Sequence, residues 1–235
     1  MEDKLQELVD RLKHAQRDRL RSVVLYGSAA AGEHKEHFSD INVLCVLTQV
    51  TPAELADSEP IFKWWREQGN PSPLLLSEEE LRTSTDCFPI EFHDMQERRR
   101  VLFGADVIQD LQIEKTFYRA QVEMELRTKL LRLRQKAAEV LLEKPALLRL
   151  MIDSVPNFLV LARHALLVSG MTCGWRKRET ARHLPDIGVD ETPFDILLDL
   201  RDQSKLAKDV DPEALFAAYL RGIEALVHHV DQIEK

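Results

Sequence analysis

The chain has 235 residues and a formal net charge of −8, with 44% hydrophobic and 31% charged residues. This composition is typical of a globular protein with one large domain or two modest ones. It argues against a dedicated nucleic-acid binder, because neutralising phosphates requires a surplus of Lys and Arg.

The cysteines and the hydropathy pattern bear on the cellular compartment. Three cysteines without a CxxC motif predict free thiols in a reducing environment. Cys45 and Cys87 lie in or beside apolar runs, so we expect both in the core. No signal peptide or run of eighteen apolar residues is present, so we expect a cytoplasmic protein without a membrane partner.

The first part of the chain predicts one helix and two strands. Apolar residues at helical spacing predict an amphipathic helix within residues 2–19. Residues 23–25 form an apolar strand that ends at Gly27, whose conformational freedom suits a tight turn. Residues 41–47 are almost wholly apolar, which predicts a strand buried on both faces.

Two polar residues stand at the start of this second strand. Asp40 and Asn42 are two residues apart, so on a strand their side chains share a face, beside the turn at Gly27. A buried strand would not begin with two polar groups on one face unless they bind something or meet solvent. The pattern therefore predicts a binding site at this end of the strands.

The next segment predicts the rest of a small mixed sheet. Thr51 precedes a proline and predicts a helix N-cap. Residues 74–76 predict a short strand, and Ser77 before three glutamates predicts another helix start. In residues 88–92, Glu91 stands between apolar neighbours, which predicts a strand that carries one carboxylate.

From residue 114 onward the pattern becomes helical. Apolar residues recur at three- and four-residue spacing, and strand alternation is absent, so we predict a bundle of four or five helices. The predicted fold class is α+β, with a small mixed β-sheet domain followed by an all-α helical bundle. The two predicted domains are residues 1–110 and 111–235.

The turn, the polar strand start and the later carboxylate together resemble the nucleotidyltransferase superfamily of the DNA polymerase β type. That family has Gly-Ser or Gly-Gly in a turn, then Asp-x-Asp on a strand, then a third carboxylate between apolar residues on a later strand. Gly27, Ser28, Asp40 and Glu91 match this pattern. Small members such as aminoglycoside nucleotidyltransferases also continue into a helical bundle.

One position departs from the family pattern, because Asn42 stands where the family has its second aspartate. The resemblance implies Mg²⁺ (or Mn²⁺) ions that bind a nucleoside triphosphate and activate the acceptor hydroxyl. Asparagine offers one neutral oxygen, so the site loses a negative charge and its catalysis should be impaired or altered. The implied metal-binding and catalytic residues are Asp40, Asn42 and Glu91, with Glu91 a metal ligand or general base, and the implied phosphate-binding residues are Gly27, Ser28 and Lys35.

Three functions are consistent with this resemblance. The first is Mg²⁺-dependent transfer of a nucleotidyl group, AMP from ATP, to an unknown hydroxyl acceptor. The second is a catalytically degenerate nucleotide-binding or regulatory protein, or an antitoxin-like partner of another chain, as in minimal nucleotidyltransferases that pair with HEPN toxins. In the third, the helical half mediates homodimerisation and the cleft is vestigial.

Other clusters have both a functional and a structural interpretation. The arginines at 98–100 would clamp a phosphate or lie on a solvated surface, and the paired tryptophans at 64–65 would stack on a base or pack in the core. The basic stretch 115–149 would face the nucleotide or form i,i+4 ion pairs. Arg178 and His183 match the spacing of HEPN ribonucleases, as chance alone would also produce. We favour the structural interpretation of each.

Overall fold

The computed structural model describes residues 1–30, 41–113 and 117–233. The chain divides into two compact units, Met1–Thr116 and Phe117–Lys235. The first unit combines a mixed sheet with helices, and the second is helical. The fold class is therefore α+β, as predicted.

The first unit is built on a four-stranded sheet with strand order β3-β2-β1-β4. Strand β1 is antiparallel to both β2 and β4, whereas β2 and β3 are parallel. Because parallel neighbours need a crossover connection, helix α2 links β2 to β3. In chain order the elements are α1 (Glu2–Gln16), β1 (Leu20–Tyr26), β2 (Asn42–Leu47), α2 (Pro52–Glu67), β3 (Leu74–Ser77), α3 (Glu78–Thr83), α4 (Pro89–Glu97) and β4 (Arg99–Gly104).

Both predicted helix starts are confirmed as capping boxes. The Thr51 hydroxyl accepts a hydrogen bond from the Ala53 amide at 3.2 Å, while the Glu54 carboxylate accepts one from the Thr51 amide at 3.0 Å. Ser77 and Glu80 repeat this exchange at the start of α3. Such reciprocal bonds satisfy amides that the first helical turn leaves without partners.

The sheet is covered on both faces, which explains why β2 is apolar throughout. Alternate strand residues point to opposite faces. One face packs against α1 and α2, and the other packs against α3 and α4. The first face contributes Val23, Leu25, Val43 and Cys45, and the second contributes Val24, Leu44 and Val46.

The two cysteines of this unit differ. Cys45 is buried, as predicted, and burial raises the pKa of its thiol to about 12. Cys87 is exposed, so its predicted place in the core is wrong. It precedes a helix rather than a strand, outside both packed faces of the sheet.

The strand predicted around Glu91 is also wrong, because Pro89–Glu97 forms helix α4. Pro89 occupies the first turn, where its missing amide costs no hydrogen bond. Glu91 lies in the same turn, where the helix dipole favours a carboxylate. Phe92 and Met95, three residues apart, are buried together against the sheet, so the apolar run reflects a helix face instead of strand alternation.

The second unit contains five α-helices within its described residues, in agreement with the predicted bundle. Helix α6 packs against α5, α7, α8 and α9. By length and composition alone α6 is apolar enough to cross a membrane, but a central helix of a bundle has the same character. The helices are α5 (Tyr118–Val140), α6 (Lys144–Val168), α7 (Lys177–Arg182), α8 (Thr192–Arg201) and α9 (Pro212–Gln232).

A proline lies inside α6. Pro156 has no amide hydrogen, so the Ile152 carbonyl four residues earlier loses its usual helical donor. The Arg201 guanidinium at the end of α8 donates to this carbonyl at 3.5 Å. A carbonyl that α6 leaves without its own donor therefore connects α6 to α8.

Candidate active site

The turn after β1 has the backbone geometry that the sequence predicts. Gly27 has a φ of +79°, a conformation that L side chains rarely adopt. Its amide donates to the Arg98 carbonyl at 3.0 Å, and its carbonyl accepts from the Ala30 amide at 3.1 Å. Ser28 follows within the turn and is half-buried. The fold thus fixes the turn at the end of β1 and places Ser28 on it.

Asn42 lies beside this turn. It is the register partner of Tyr26, the last residue of β1, and directly opposed residues of antiparallel strands share a face. A Cβ added to Gly27 would lie 3.5 Å from the Asn42 Nδ2 atom. The Asn42 side chain is therefore in van der Waals range of the turn, on the sheet face that packs against α4.

Glu91 reaches the same region from α4. Burial raises the pKa of the Tyr26 phenol, and the negative charge of Glu91 raises it further. The Glu91 carboxylate is thus close enough for its charge to act on the phenol at the end of β1. Its side chain is exposed, as access to a substrate requires. The structure brings Gly27, Ser28 and Asn42 to one end of β1 and β2, and the charge of Glu91 acts on Tyr26 at the same end.

Two predicted site residues, Asp40 and Lys35, lie outside the described residues. Their assignment as metal ligand and phosphate-binding residue stays a prediction. Tyr26 is an addition that sequence reasoning missed. Its position directly before the Gly-Ser turn was the available signal.

Comparison with known proteins places this geometry in a family. Residues 5–104 match the family model of the nucleotidyltransferase domain. This segment is a polymerase β-like nucleotidyltransferase domain. The match spans α1 through β4 and so includes the turn, Asn42 and Glu91.

One solved structure shares the fold. Spectinomycin adenyltransferase AAD(9) from Enterococcus faecialis, solved with ATP and spectinomycin, is 12% identical with a TM-score of 0.59 over 96% of this chain and 99% of that chain. A nucleotidyltransferase-like protein from Exiguobacterium sibiricum 255-15 is 15% identical, with a TM-score of 0.39 over 95% and 74%. A toxin-antitoxin structure with AMP-PNP is 14% identical, with a TM-score of 0.31 over 43% and 74%. No curated protein sequence matches the chain.

The nucleotidyltransferase domain is poor in strand carboxylates. Within the described residues, no strand of the sheet carries an Asp or Glu. The third carboxylate expected on a later strand therefore has no counterpart on the described strands, and Glu91 reaches the site from a helix instead.

The oxygen atoms of the described site residues are still of the chemical type that binds a hard cation. Mg²⁺ prefers carboxylate, carbonyl and water oxygens, and Glu91 and Asn42 offer a carboxylate and an amide oxygen. Their combined charge is lower than that of two carboxylates. The residues thus fit Mg²⁺ chemically, with weaker electrostatic attraction.

The alternative phosphate and base sites have structural roles. Arg99 forms an ion pair with Asp106 at 2.8 Å, and Arg100 forms one with Glu2 at 3.0 Å. Trp65 is fully buried in the core of the first unit, as predicted. The Arg11 guanidinium lies 4.4 Å from the centre of the Trp64 ring.

The alternative functional residues of the second unit also have structural roles. Glu123 pairs with Arg127 at 2.7 Å and Glu125 with Lys129 at 3.4 Å, which confirms the predicted i,i+4 pairs. Arg178 pairs with Asp199 and Asp202, whereas His183 pairs with Asp186. Arg178 and His183 therefore make separate exposed ion pairs, in line with the structural interpretation.

Proposed function

We propose that the nucleotidyltransferase domain binds ATP at the Gly27–Ser28 turn and transfers AMP to a hydroxyl acceptor. The carrying observation is the convergence of this positive-φ turn, Asn42 and Glu91 at one end of β1 and β2. A turn of backbone amides is a suitable anion site. Its position beside oxygen ligands is what nucleotide transfer requires.

In the proposed reaction the acceptor oxygen forms a bond to the α-phosphorus of ATP. The bond between that phosphorus and the bridging oxygen breaks, and pyrophosphate leaves. Glu91 is the base that receives the acceptor proton, since its exposed carboxylate reaches the site. Asp40 and Asn42 supply oxygen ligands for Mg²⁺, which when bound neutralises charge on the phosphates.

The remaining side chains orient the nucleotide. Ser28 and the backbone of the turn hold phosphate oxygens, and Lys35 adds a positive charge. Asn42 keeps one ligand oxygen but not the charge of an aspartate. We therefore propose slow transfer through a metal site of reduced charge.

A second candidate is nucleotide binding without transfer, in a regulatory protein or a partner of another chain. The observation that favours it is Asn42, which stands on β2 where the family pattern has its second aspartate. The two candidates share the phosphate-binding turn and differ in turnover. A cytoplasmic location is proposed for both, because ATP and free thiols belong to a reducing compartment.

Titration calorimetry with ATP, with and without Mg²⁺, tests the binding step. We expect Mg²⁺-dependent binding by the wild type and its loss in Asp40→Ala. An absence of ATP binding under both conditions would overturn both candidates.

Pyrophosphate release from ATP, measured with a panel of hydroxyl acceptors, separates the two candidates. We expect slow release that Glu91→Gln abolishes while ATP binding persists. Glu97→Gln is the matched control, because it removes an exposed carboxylate from the end of the same helix. Binding without release with any acceptor would favour the regulatory candidate.

A further inference from the structure

Helix α5 has apolar residues on two opposite faces. Its inner face packs in the second unit and contains Val122, Leu126 and Leu133, all buried. On the opposite face, Phe117 just before the helix and Met124 and Leu131 within it recur every seven residues. Their exposed fractions are 59%, 57% and 59%.

The centre of the solvent-facing side of α5 is uncharged. Charged residues normally occupy this position on a surface helix. On α5 they lie only along the two edges of the exposed face. At 3.6 residues per turn, the centre of the exposed face consists of Phe117, Ala120, Met124, Thr128, Leu131, Gln135 and Ala138.

Apolar residues at seven-residue spacing are the pattern of a seam between packed helices. We name Phe117, Met124, Leu131 and Ala138 the outer stripe. We propose that the outer stripe binds the outer stripe of a second copy of this chain, with the two α5 helices antiparallel. This inference does not depend on the proposed transfer reaction.

The outer stripe is complementary to itself in size. In an antiparallel pair that sets Met124 against Leu131 of the partner subunit, Phe117 comes opposite Ala138 of the partner subunit. The largest side chain of the stripe thus meets the smallest. The two-fold axis of this arrangement passes beside Thr128, as a closed symmetric dimer requires.

The charged edges are complementary in the same register. Glu125 comes within two residues of the position opposite Arg132 of the partner subunit, on one edge of the stripe. On the other edge, Glu123 comes within two residues of the position opposite Arg134 of the partner subunit. Arg127, the charged residue nearest the two-fold axis on this edge, is already paired with Glu123 and Asp231 within the chain. Opposite charges at such flanking positions determine partner and orientation in paired helices.

Arg132 adds a second observation in favour of this partner. Arg119, Arg127, Lys129 and Arg134 of the same helix each form an ion pair within the chain. Arg132 and Lys136 are exposed and form none with the described residues, and Arg132 is the one that lies nearer the outer stripe. The proposed dimer supplies Glu125 of the partner subunit as its carboxylate.

Analytical ultracentrifugation over a concentration series tests the dimer. We expect the full chain to approach twice its 27.1 kDa mass as concentration rises. Met124→Glu combined with Leu131→Glu should leave only the monomer, with unchanged circular dichroism. Leu206→Glu alters another exposed leucine of the second unit and should still dimerise. A wild-type monomer throughout the series would overturn the proposal.

Charge reversal tests the register. Glu125→Arg should weaken the dimer at least tenfold, and Glu125→Arg with Arg132→Glu should restore it. A failure of the double variant to recover would overturn the antiparallel register.

Disulfide trapping gives a readout that does not depend on affinity. In a Cys87→Ser background, Thr128→Cys should cross-link rapidly under mild oxidation, because it lies at the two-fold axis. Gln135→Cys lies two turns further along the same face and should cross-link far more slowly. Equal rates at the two positions would contradict the proposed arrangement.

Discussion

The two halves of the candidate site are determined in different ways. The phosphate-binding half is backbone, since Gly27 reaches its positive φ through hydrogen bonds to Ala30 and to the residue before β4. The proposed metal-binding half is made of side chains, and on β2 it has Asn42 where the family pattern has an aspartate. A fold can thus keep a phosphate-binding turn while the chemistry beside it changes. The turn contributes to packing, whereas a metal-binding carboxylate contributes to nucleotide binding and catalysis.

The largest expected effect comes from restoring charge to the metal-binding half. Asn42→Asp should raise Mg²⁺-dependent pyrophosphate release by on the order of 10²-fold, because an anionic oxygen returns to the site. Asn70→Asp adds the same charge to a loop of the same unit and should not change release. If Asn42→Asp and the wild type release pyrophosphate at the same rate, the missing charge at position 42 does not limit the reaction.

The next largest effect is expected from a substitution in the turn. Gly27→Ala should lower the free energy of unfolding by roughly 1–2 kcal/mol, because its φ of +79° disfavours a Cβ. It should also weaken ATP binding, since the turn amides would shift. Calorimetry with ATP and urea unfolding measure the two effects.

Gly69→Ala is the matched control for this prediction. Gly69 has a φ of +84°, with no atom within 4 Å of an added Cβ. We expect a similar loss of stability and unchanged ATP binding. A parallel loss of ATP binding in both variants would show that stability, rather than the turn, controls the affinity.

A smaller effect is expected from Ser28→Ala. Removing one hydrogen bond to a charged phosphate should cost about 1.5 kcal/mol of ATP binding free energy. Calorimetric titration measures this change. Ser22→Ala is the control for general disturbance, because it removes a fully buried hydroxyl near the other end of β1. An unchanged affinity in Ser28→Ala would assign phosphate binding to the backbone alone.

The smallest effect on ATP binding is expected from a substitution of Glu54, a carboxylate with a structural role. Hydrogen bonds from Thr51, with Arg19 and Gln49 contributing, hold the pKa of the buried Glu54 at about 2, below its ordinary 4.5. A depressed pKa stabilises the folded state above pH about 4.5, and this stability is lost as the pH falls from about 4.5 to about 2. Glu54→Gln should flatten the pH dependence of unfolding in that window and leave ATP binding at pH 7 unchanged.

Asp57→Asn is the control for Glu54, since Asp57 pairs with the same Arg19 at 2.6 Å but is exposed. Unfolding of this variant should keep the acid dependence. If both variants lose it equally, Arg19 rather than the buried carboxylate causes the dependence.

Local signals in the sequence predicted most of the first unit. The capping residues Thr51 and Ser77 form hydrogen bonds with residues two or three positions away, so the local sequence is enough to predict them. The segment around Glu91 could not be resolved in the same way, because a short apolar run with one acid suits a strand or a helix. Pro89 at its start was the signal for a helix.

Non-local features were harder to predict. The parallel pairing of β2 with β3 joins residues about thirty positions apart and leaves no periodic signature. The approach of Glu91 to Tyr26 likewise depends on how α4 packs on the sheet. The predicted domain boundary near residue 110 stays a prediction. In the candidate site, the sequence predicted which residues take part, and the structure showed which elements present them.

The proline of α6 has a consequence for how this chain can accumulate mutations. Pro156 leaves the Ile152 carbonyl without its helical donor, and the Arg201 guanidinium donates a hydrogen bond to this carbonyl instead. Pro156→Ala would return a helical donor to that carbonyl, so a later change at Arg201 would become less harmful. In the reverse order the carbonyl would lose its donor first. The two sites are therefore epistatic, and the sequence of substitutions determines which evolutionary paths through α6 and α8 stay open.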